Sequence, residues 1–132
     1  MQKKLTIDEN FSFALQNQQK NNFQIAEKFY AEVLDIDPNH IDTLNNLGLL
    51  FIKLKHYQKA ISCYEKVIEI DPNYIHSPNF NLGLIFHEMK EPHKAITYYE
   101  KALQINPNYV NAHNNLLLFD NLLIFQILNQ DY

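Results

Sequence analysis

Apolar residues recur at three- and four-residue steps along most of the chain, which is the spacing of one face of an α-helix. Within residues 41–54, the positions that follow this spacing are Leu44, Leu47, Gly48, Phe51 and Leu54. After a break at residues 55–56 the spacing resumes, and Asp71-Pro72-Asn73 then closes the segment. Proline ends a helix because it disfavours helical backbone in the preceding residue and has no N–H to donate. The pattern therefore predicts a helix, a short turn and a second helix.

The second half of this unit occurs three times in the chain. Residues 57–74 read YQKAISCYEKVIEIDPNY, residues 92–109 read PHKAITYYEKALQINPNY, and residues 23–40 read FQIAEKFYAEVLDIDPNH. The prolines of successive copies are 34 and 35 residues apart. A repeat of this length is typical of stacked helix pairs rather than of a single closed core.

The repeat predicts seven helices and three and a half units. The helices are predicted at residues 7–20, 23–36, 41–54, 57–70, 76–89, 92–105 and 110–129. The units are residues 7–40 (divergent), 41–74, 75–109 and 110–132, the last being half a repeat with an apolar helix. Thr6 and Glu9 have the spacing of a capping box, and Pro92 suits a first helical turn. The extra residue of the third unit is expected near residues 75–78, where it distorts the turn.

The chain contains two glycines, Gly48 and Gly83, at the same place in two first helices. A glycine inside a helix is about 1 kcal/mol less favourable than alanine, so its presence indicates close approach of the neighbouring helix. We expect Ala60 and Ala95 of the second helices to lie against the two glycines.

These residues resemble the tetratricopeptide repeat, which has Leu-Gly and aromatic residues in its first helix and Ala, an aromatic residue and Pro in its second. The matching residues are Leu44, Leu47, Gly48, Phe51, Ala60, Tyr64 and Pro72, then Leu82, Gly83, Phe86, Ala95, Tyr99 and Pro107. The first unit matches less closely, and Asn10, Asn79 and His113 depart from the pattern at the first aromatic position. The resemblance implies an all-α, right-handed superhelix (solenoid) of antiparallel helix pairs. It also implies a concave groove, lined by the first helices, that binds extended peptides or partner helices.

Two lines of side chains follow the predicted groove, one apolar and one of amides. The predicted peptide-binding residues are Asn46, Leu49, Ile52, Lys53, Asn81, Leu84, His87, Asn115 and Leu118. An asparagine amide both donates and accepts, so it can pair with any peptide backbone, at a net of about 0.5–1.5 kcal/mol per bond. The same amides can instead serve packing between neighbouring repeats, and both uses remain open.

We expect a non-enzymatic protein–protein interaction module, with no catalytic residues, metal or cofactor. An amide line also resembles the repeat region of transferases that add O-linked N-acetylglucosamine, so a substrate-recognition fragment of such an enzyme is one alternative. A secretion or pilus-assembly chaperone is another. Co-chaperones of this family grip a C-terminal carboxylate with several Lys and Arg residues, whereas this groove offers only Lys53. We therefore do not expect that mode of binding.

Composition and charge indicate which partners and which cellular compartment to expect. The formal net charge of −4 argues against nucleic acid, which requires clustered Lys and Arg. The lone Cys63 cannot form an internal disulfide, and residues 1–6 lack the apolar stretch of a signal peptide. These features predict a cytoplasmic protein.

The last segment departs from the repeat. It reads VNAHNNLLLFDNLLIFQILNQDY, with Leu117 at the glycine position and Asp120 at an aromatic position. Its apolar run is interrupted and shorter than the roughly 20 residues that span a bilayer, so no membrane span is predicted. The apolar residues Leu116–Leu128 could bend back as a cap on the third pair, form a homodimer, or mark a truncated form of a longer chain. We favour capping combined with some self-association.

Overall fold

The computed structural model describes residues 3–130, and all regular structure in that range is helical. The helices are α1 (Ile7–Gln19), α2 (Phe23–Ile36), α3 (Ile41–Lys53), α4 (Tyr57–Ile70), α5 (Pro78–Glu88), α6 (Pro92–Ile105) and α7 (Val110–Gln130). All of them except α5 begin at the predicted residue, and every helix ends within one residue of its prediction. Residues 131 and 132 of the predicted last unit lie outside the described residues.

The described residues divide into two compact units, one ending at Pro72 and the other starting at Asn73. In the first unit α1 packs on α2, α2 on α3, and α3 on α4. In the second unit α5 packs on α6, and α6 packs on α7. The packed pairs are antiparallel, so the prediction of an all-α fold built from antiparallel helix pairs is confirmed.

The capping box that opens α1 is present. The Thr6 hydroxyl accepts a hydrogen bond from the Glu9 amide at 3.1 Å, and the Glu9 carboxylate accepts one from the Thr6 amide at 3.2 Å. Hydrogen bonding to its carboxylate, first from the Thr6 backbone amide and then from the Thr6 side chain, lowers the pKa of Glu9 because it favours the charged form. The box gives hydrogen-bond partners to two of the four amides that a helix start leaves unpaired, those of Thr6 and Glu9. This pairing fixes where α1 begins.

The turns inside the three pairs share one backbone conformation. Asn21, Lys55 and Lys90 have left-handed φ angles of 62°, 60° and 61°. The residue after each of them donates its amide to a carbonyl five positions earlier, at 2.8–2.9 Å. These hydrogen bonds close the first helix of each pair, and lysine adopts the required conformation at an energetic cost that glycine avoids.

The start of α5 is irregular compared with the other helix starts for which the structure describes a capping residue. Ser77 has a left-handed φ of 42°, and the helix begins at Pro78, two residues later than predicted. The Ser77 amide donates to the Tyr74 carbonyl at 3.2 Å, and its hydroxyl accepts from the Phe80 amide at 3.4 Å. The extra residue of the third unit is thus absorbed in the turn before α5, where the sequence predicts it.

Each glycine lies against an aromatic ring of the second helix. A Cβ atom added to Gly48 would lie 2.7 Å from Cζ of Tyr64, and one added to Gly83 would lie 2.5 Å from Cδ1 of Tyr99. The expected close approach is confirmed, and the atoms nearest to each added Cβ belong to a tyrosine ring, a residue that the sequence did not single out for this contact. A tyrosine ring of the second helix is long enough to reach across the pair and lie on the bare glycine backbone.

The last helix continues as one element to Gln130 instead of bending back. Ala112 is fully buried, Asn115, Leu116 and Phe119 are half-buried, and every residue from 120 to 130 is exposed. The expectation that this segment caps the third pair is therefore wrong for its second half. Only the first turns of α7 pack on the rest of its unit.

Candidate functional site

In the first unit the predicted site residues all lie on α3. Asn46, Leu49 and Lys53 follow three- and four-residue steps, so they share one face of this helix. Leu49 and Lys53 are exposed, while Asn46 and Ile52 are half-buried. The structure therefore brings the four predicted residues of this unit together on one accessible helix surface.

The amide of Asn46 already has a partner inside the unit. Burial raises the pKa of the Tyr30 hydroxyl to about 12, and a hydrogen bond to the Asn46 side chain partly opposes this rise. The same hydroxyl donates to Oε1 of Gln18 at the end of α1. Asn46 thus connects α3 to the tyrosine of the preceding second helix, which is the packing use that the sequence left open.

The charged end of Lys53 is held near an aromatic ring. Its Nζ lies 5.9 Å from the ring centroid of Phe23, the first residue of α2. An ammonium group at this distance from a ring face is attracted by the ring quadrupole. Lys53 is nevertheless exposed, so it remains accessible to a ligand.

In the second unit the predicted residues are divided between α5 and α7. Asn81 and Leu84 on α5 and Asn115 on α7 are half-buried, while His87 and Leu118 are exposed. The Asn81 amide donates to the His76 carbonyl at 3.4 Å. Two helices therefore contribute the predicted residues of this unit.

Asn115 repeats the arrangement of Asn46. Burial raises the pKa of the Tyr99 hydroxyl, and the neighbouring Asn115 side chain partly opposes this rise. Within the described residues the Tyr99 hydroxyl has no partner at strict hydrogen-bond geometry, so the contact with Asn115 is looser than a full hydrogen bond. The recurrence of tyrosine and asparagine at repeat spacing could have indicated this pairing from the sequence.

A cleft of about 580 Å³ lies beside His87 in the second unit. It is lined by His87, Lys90, Pro92, His93, Ile96, Phe119, Asp120, Leu122, Leu123 and Gln126. The His87 ring centroid lies 4.8 Å from that of Phe119, so the histidine packs against α7. The sequence pattern predicts His87 in the groove but does not indicate the cleft, because only the structure shows how far α7 extends past the α5–α6 turn.

Reactive groups are scarce in the described part of the chain. Burial raises the pKa of the Cys63 thiol to about 11, so this cysteine stays protonated near neutral pH. Among residues 3–130, no three His, Cys, Asp or Glu side chains are grouped in a way that could hold a metal ion. No helix in the same range is both long and apolar enough to span a bilayer.

The repeat pattern matches a known family. A family model described as the tetratricopeptide repeat matches residues 41–74 and 79–109. The chain is a tetratricopeptide-repeat protein. Its seven helices amount to about three and a half repeats, and the pair α1–α2, whose sequence is the most divergent, lies outside the matched residues. No curated protein sequence matches the chain.

Solved structures share the fold of this tetratricopeptide-repeat protein. A MamA crystal structure matches at a TM-score of 0.78 and 25% identity, covering 88% of this chain and 63% of that one. A mutant of the Thermobaculum terrenum O-GlcNAc transferase matches at 0.72 and 28%, covering 85% of this chain and 21% of that one. The first TPR domain of Spaghetti (RPAP3), bound to the HSP90 peptide SRMEEVD, matches at 0.80 and 19%, covering 89% and 93%.

These matches differ in how much of each structure the chain covers. The chain spans less than two thirds of the MamA structure and about a fifth of the transferase. The RPAP3 domain shows that proteins with this fold include peptide-binding domains. Its identity of 19% relates the two by fold alone.

Proposed function

We propose that this tetratricopeptide-repeat protein is a non-enzymatic interaction module that binds an extended peptide or a partner helix on the exposed faces of its first helices. The carrying observation is the leucine at one repeat position. Leu49 and Leu118 are 37% and 56% exposed, and Leu84 is half-buried. The neighbouring apolar residues Leu50 and Ile85 are fully buried. A leucine that stays accessible on successive first helices has apolar surface left for a ligand.

The amides have a secondary role in this proposal. Asn46 and Asn115 face tyrosine hydroxyls, and Asn81 donates to a backbone carbonyl. An asparagine side chain has two donors and a carbonyl with two lone pairs, so one internal contact leaves others unused. We expect the leucines to supply most of the affinity and the amides to orient the ligand backbone.

Each unit carries its own set of proposed peptide-binding residues. The first unit contributes Asn46, Leu49, Ile52 and Lys53 on α3. The second contributes Asn81, Leu84 and His87 on α5 and Asn115 and Leu118 on α7. For accessible leucine contacts with a few net hydrogen bonds, we expect an affinity on the order of micromolar, about −8 kcal/mol.

Peptide selection followed by substitution tests this function. Peptides of 12 residues, displayed on phage, are selected on the immobilised protein, and affinities of the enriched synthetic peptides are measured by calorimetry. Leu49→Ala is expected to weaken binding roughly tenfold, as loss of a central apolar contact does. The matched control is Ile70→Ala, because Ile70 on α4 is 38% exposed and Leu49 is 37% exposed.

Two outcomes contradict the proposal. One is an enriched peptide whose affinity is the same for Leu49→Ala and for the unmodified protein. The other is an equal loss of peptide affinity for Ile70→Ala, which would mean that the peptide binds the second helices.

A second function rests on the transferase match. At 28% identity over 85% of this chain, the likeness to part of the Thermobaculum terrenum O-GlcNAc transferase favours a substrate-recognition fragment of a similar enzyme. That function requires a glycosyltransferase domain encoded next to this chain or supplied by a partner. Sequencing the genomic region around the coding segment decides between a linked domain and none. Co-purification followed by a sugar-transfer assay decides whether a partner supplies it.

A further inference from the structure

The last helix has two opposite faces with different surroundings. Ala112, Asn115, Leu116 and Phe119 face the rest of the second unit and are buried or half-buried. From residue 117 onward, the outer face of α7, which is opposite at 100° per residue, consists of Leu117, Leu118, Asn121, Ile124, Phe125 and Leu128. Leu118 lies at its edge and is also one of the proposed peptide-binding residues, so a dimer and a ligand would share this leucine. All five apolar members of the outer face are 54–65% exposed. Nothing in the described residues covers them.

The residue at the glycine position decides what can cover this face. In the matched pairs Gly48 and Gly83 leave room for the rings of Tyr64 and Tyr99. The corresponding residue of α7 is Leu117. A leucine there would collide with a tyrosine-bearing helix of the kind that follows the other first helices. The outer face of α7 is therefore not shaped for another regular second helix.

We propose that the outer face of α7 pairs with the same face of a second copy of this chain. The face carries no charge, and the one carboxylate of α7, Asp120, lies on its flank. An uncharged surface offers no electrostatic selection for an acidic or basic partner, whereas leucine, isoleucine and phenylalanine side chains can interdigitate with their own kind. A two-fold pairing also uses the same patch on both copies, as closed dimers do.

The area of the face sets the expected strength of this dimer. Five side chains that are each more than half exposed offer on the order of 500 Å² per copy, or about 1,000 Å² for the pair. That total is at the lower limit for a specific interface. We therefore expect a dimer that dissociates in the micromolar range rather than an obligate one.

Sedimentation velocity of the full chain, over a concentration series from about 1 to 200 µM, tests the proposal. The unmodified protein is expected to shift from monomer to dimer across this range. Ile124→Asp is expected to remain monomeric, because it puts a carboxylate at the centre of the paired faces. Leu123→Asp is the matched control, since Leu123 is 57% exposed, Ile124 is 54% exposed and only Ile124 belongs to the outer face.

A cross-link provides a second measurement that does not depend on charge. In a Cys63→Ala background, Ile124→Cys is expected to form a disulfide-linked dimer under mild oxidation, and Leu123→Cys to form much less. The proposal is overturned if the unmodified protein stays monomeric at 200 µM or forms open-ended aggregates. It is also overturned if Leu123→Asp abolishes the dimer as fully as Ile124→Asp, or if the two cysteine variants cross-link equally.

Discussion

At the scale of single residues, each matched pair packs a glycine of its first helix against a tyrosine ring of its second. Gly48→Ala would place a Cβ atom 2.7 Å from the buried Tyr64 ring. The helix gains about 1 kcal/mol from alanine, but overpacking costs about 1–3 kcal/mol, so we expect a net loss of about 1 kcal/mol in the free energy of unfolding. Urea denaturation measures it. In a Tyr64→Leu background the same substitution should be neutral or stabilising, and an equal loss there would contradict the contact.

The left-handed lysine in the turn before α6 predicts a substitution that stabilises the protein, in contrast to Gly48→Ala. Lys90 has a φ of 61°, a conformation that glycine adopts without strain. Lys90→Gly should therefore raise the free energy of unfolding, by about 1 kcal/mol. Asn21→Gly at the equivalent turn should gain less, because asparagine tolerates this region better. A lower thermal midpoint for Lys90→Gly would show that the lysine side chain stabilises the folded state by more than its left-handed backbone destabilises it.

The buried thiol of Cys63 makes stability depend on alkaline pH. Burial raises its pKa from 9.0 to about 11, so the neutral thiol is favoured in the folded state. Between these two values the unfolded chain loses the proton and the folded chain keeps it, so the free energy of unfolding should fall as pH rises, by about 1 kcal/mol per pH unit. Cys63→Ala should reduce this dependence between pH 9 and 10, leaving the part that the buried tyrosine hydroxyls of Tyr30, Tyr64 and Tyr99 contribute. An unchanged slope in denaturation titrations would contradict the burial effect.

At the residue scale, the side-chain contacts between helices could not be predicted from the sequence. The two glycines at one register position predicted a close helix approach, because a helix does not otherwise accept that cost. They could not identify Tyr64 and Tyr99 as the residues that fill the space. Periodicity assigns a residue to a helix face, but the reach of its side chain depends on the distance and crossing of the two helices. The same limit hid the contact between Asn46 and Tyr30.

At the scale of elements, the helix boundaries follow almost entirely from local chemistry. Prolines, the Thr6 capping box and the three- and four-residue apolar spacing act within a few residues, so the sequence determines them. The start of α5 differs because Ser77 takes a left-handed conformation that no spacing rule indicates. The course of α7 was mispredicted for another reason. Its apolar composition indicated burial, but residues 120–126 line an open cleft beside α5 and α6 and stay exposed instead of closing onto those helices.

The exposed half of α7 should be dispensable for folding. Deleting the chain from residue 120 onward removes no side chain that is buried among the described residues 120–130, so the thermal midpoint at low concentration should change by less than about 2 °C. Deleting from residue 112 instead removes the fully buried Ala112 and the Phe119 ring next to His87. That longer deletion should lower the midpoint clearly. A large decrease in the thermal midpoint for the shorter deletion would mean that residues 120–130 pack on the rest of their unit.

At the scale of the whole molecule, charge predicts which peptides are rejected. The formal net charge is −4, and Lys53 is the only lysine among the proposed peptide-binding residues. The HSP90 peptide SRMEEVD, which the RPAP3 domain binds, carries several carboxylates. We expect no measurable binding of that peptide to this chain below about 1 mM by calorimetry, because its negative charges would lack partners. Micromolar binding would show that another surface recognises carboxylates.

The central claim is that ligands bind the exposed faces of the first helices. Backbone NMR titration with a selected peptide tests it most directly, since every amide reports separately. The account predicts the largest shift changes around Asn46, Leu49 and Lys53 on α3 and around Leu84 and His87 on α5, with small changes on α4 and α6. Shift changes concentrated on α4 and α6, with α3 and α5 unaffected, would contradict it.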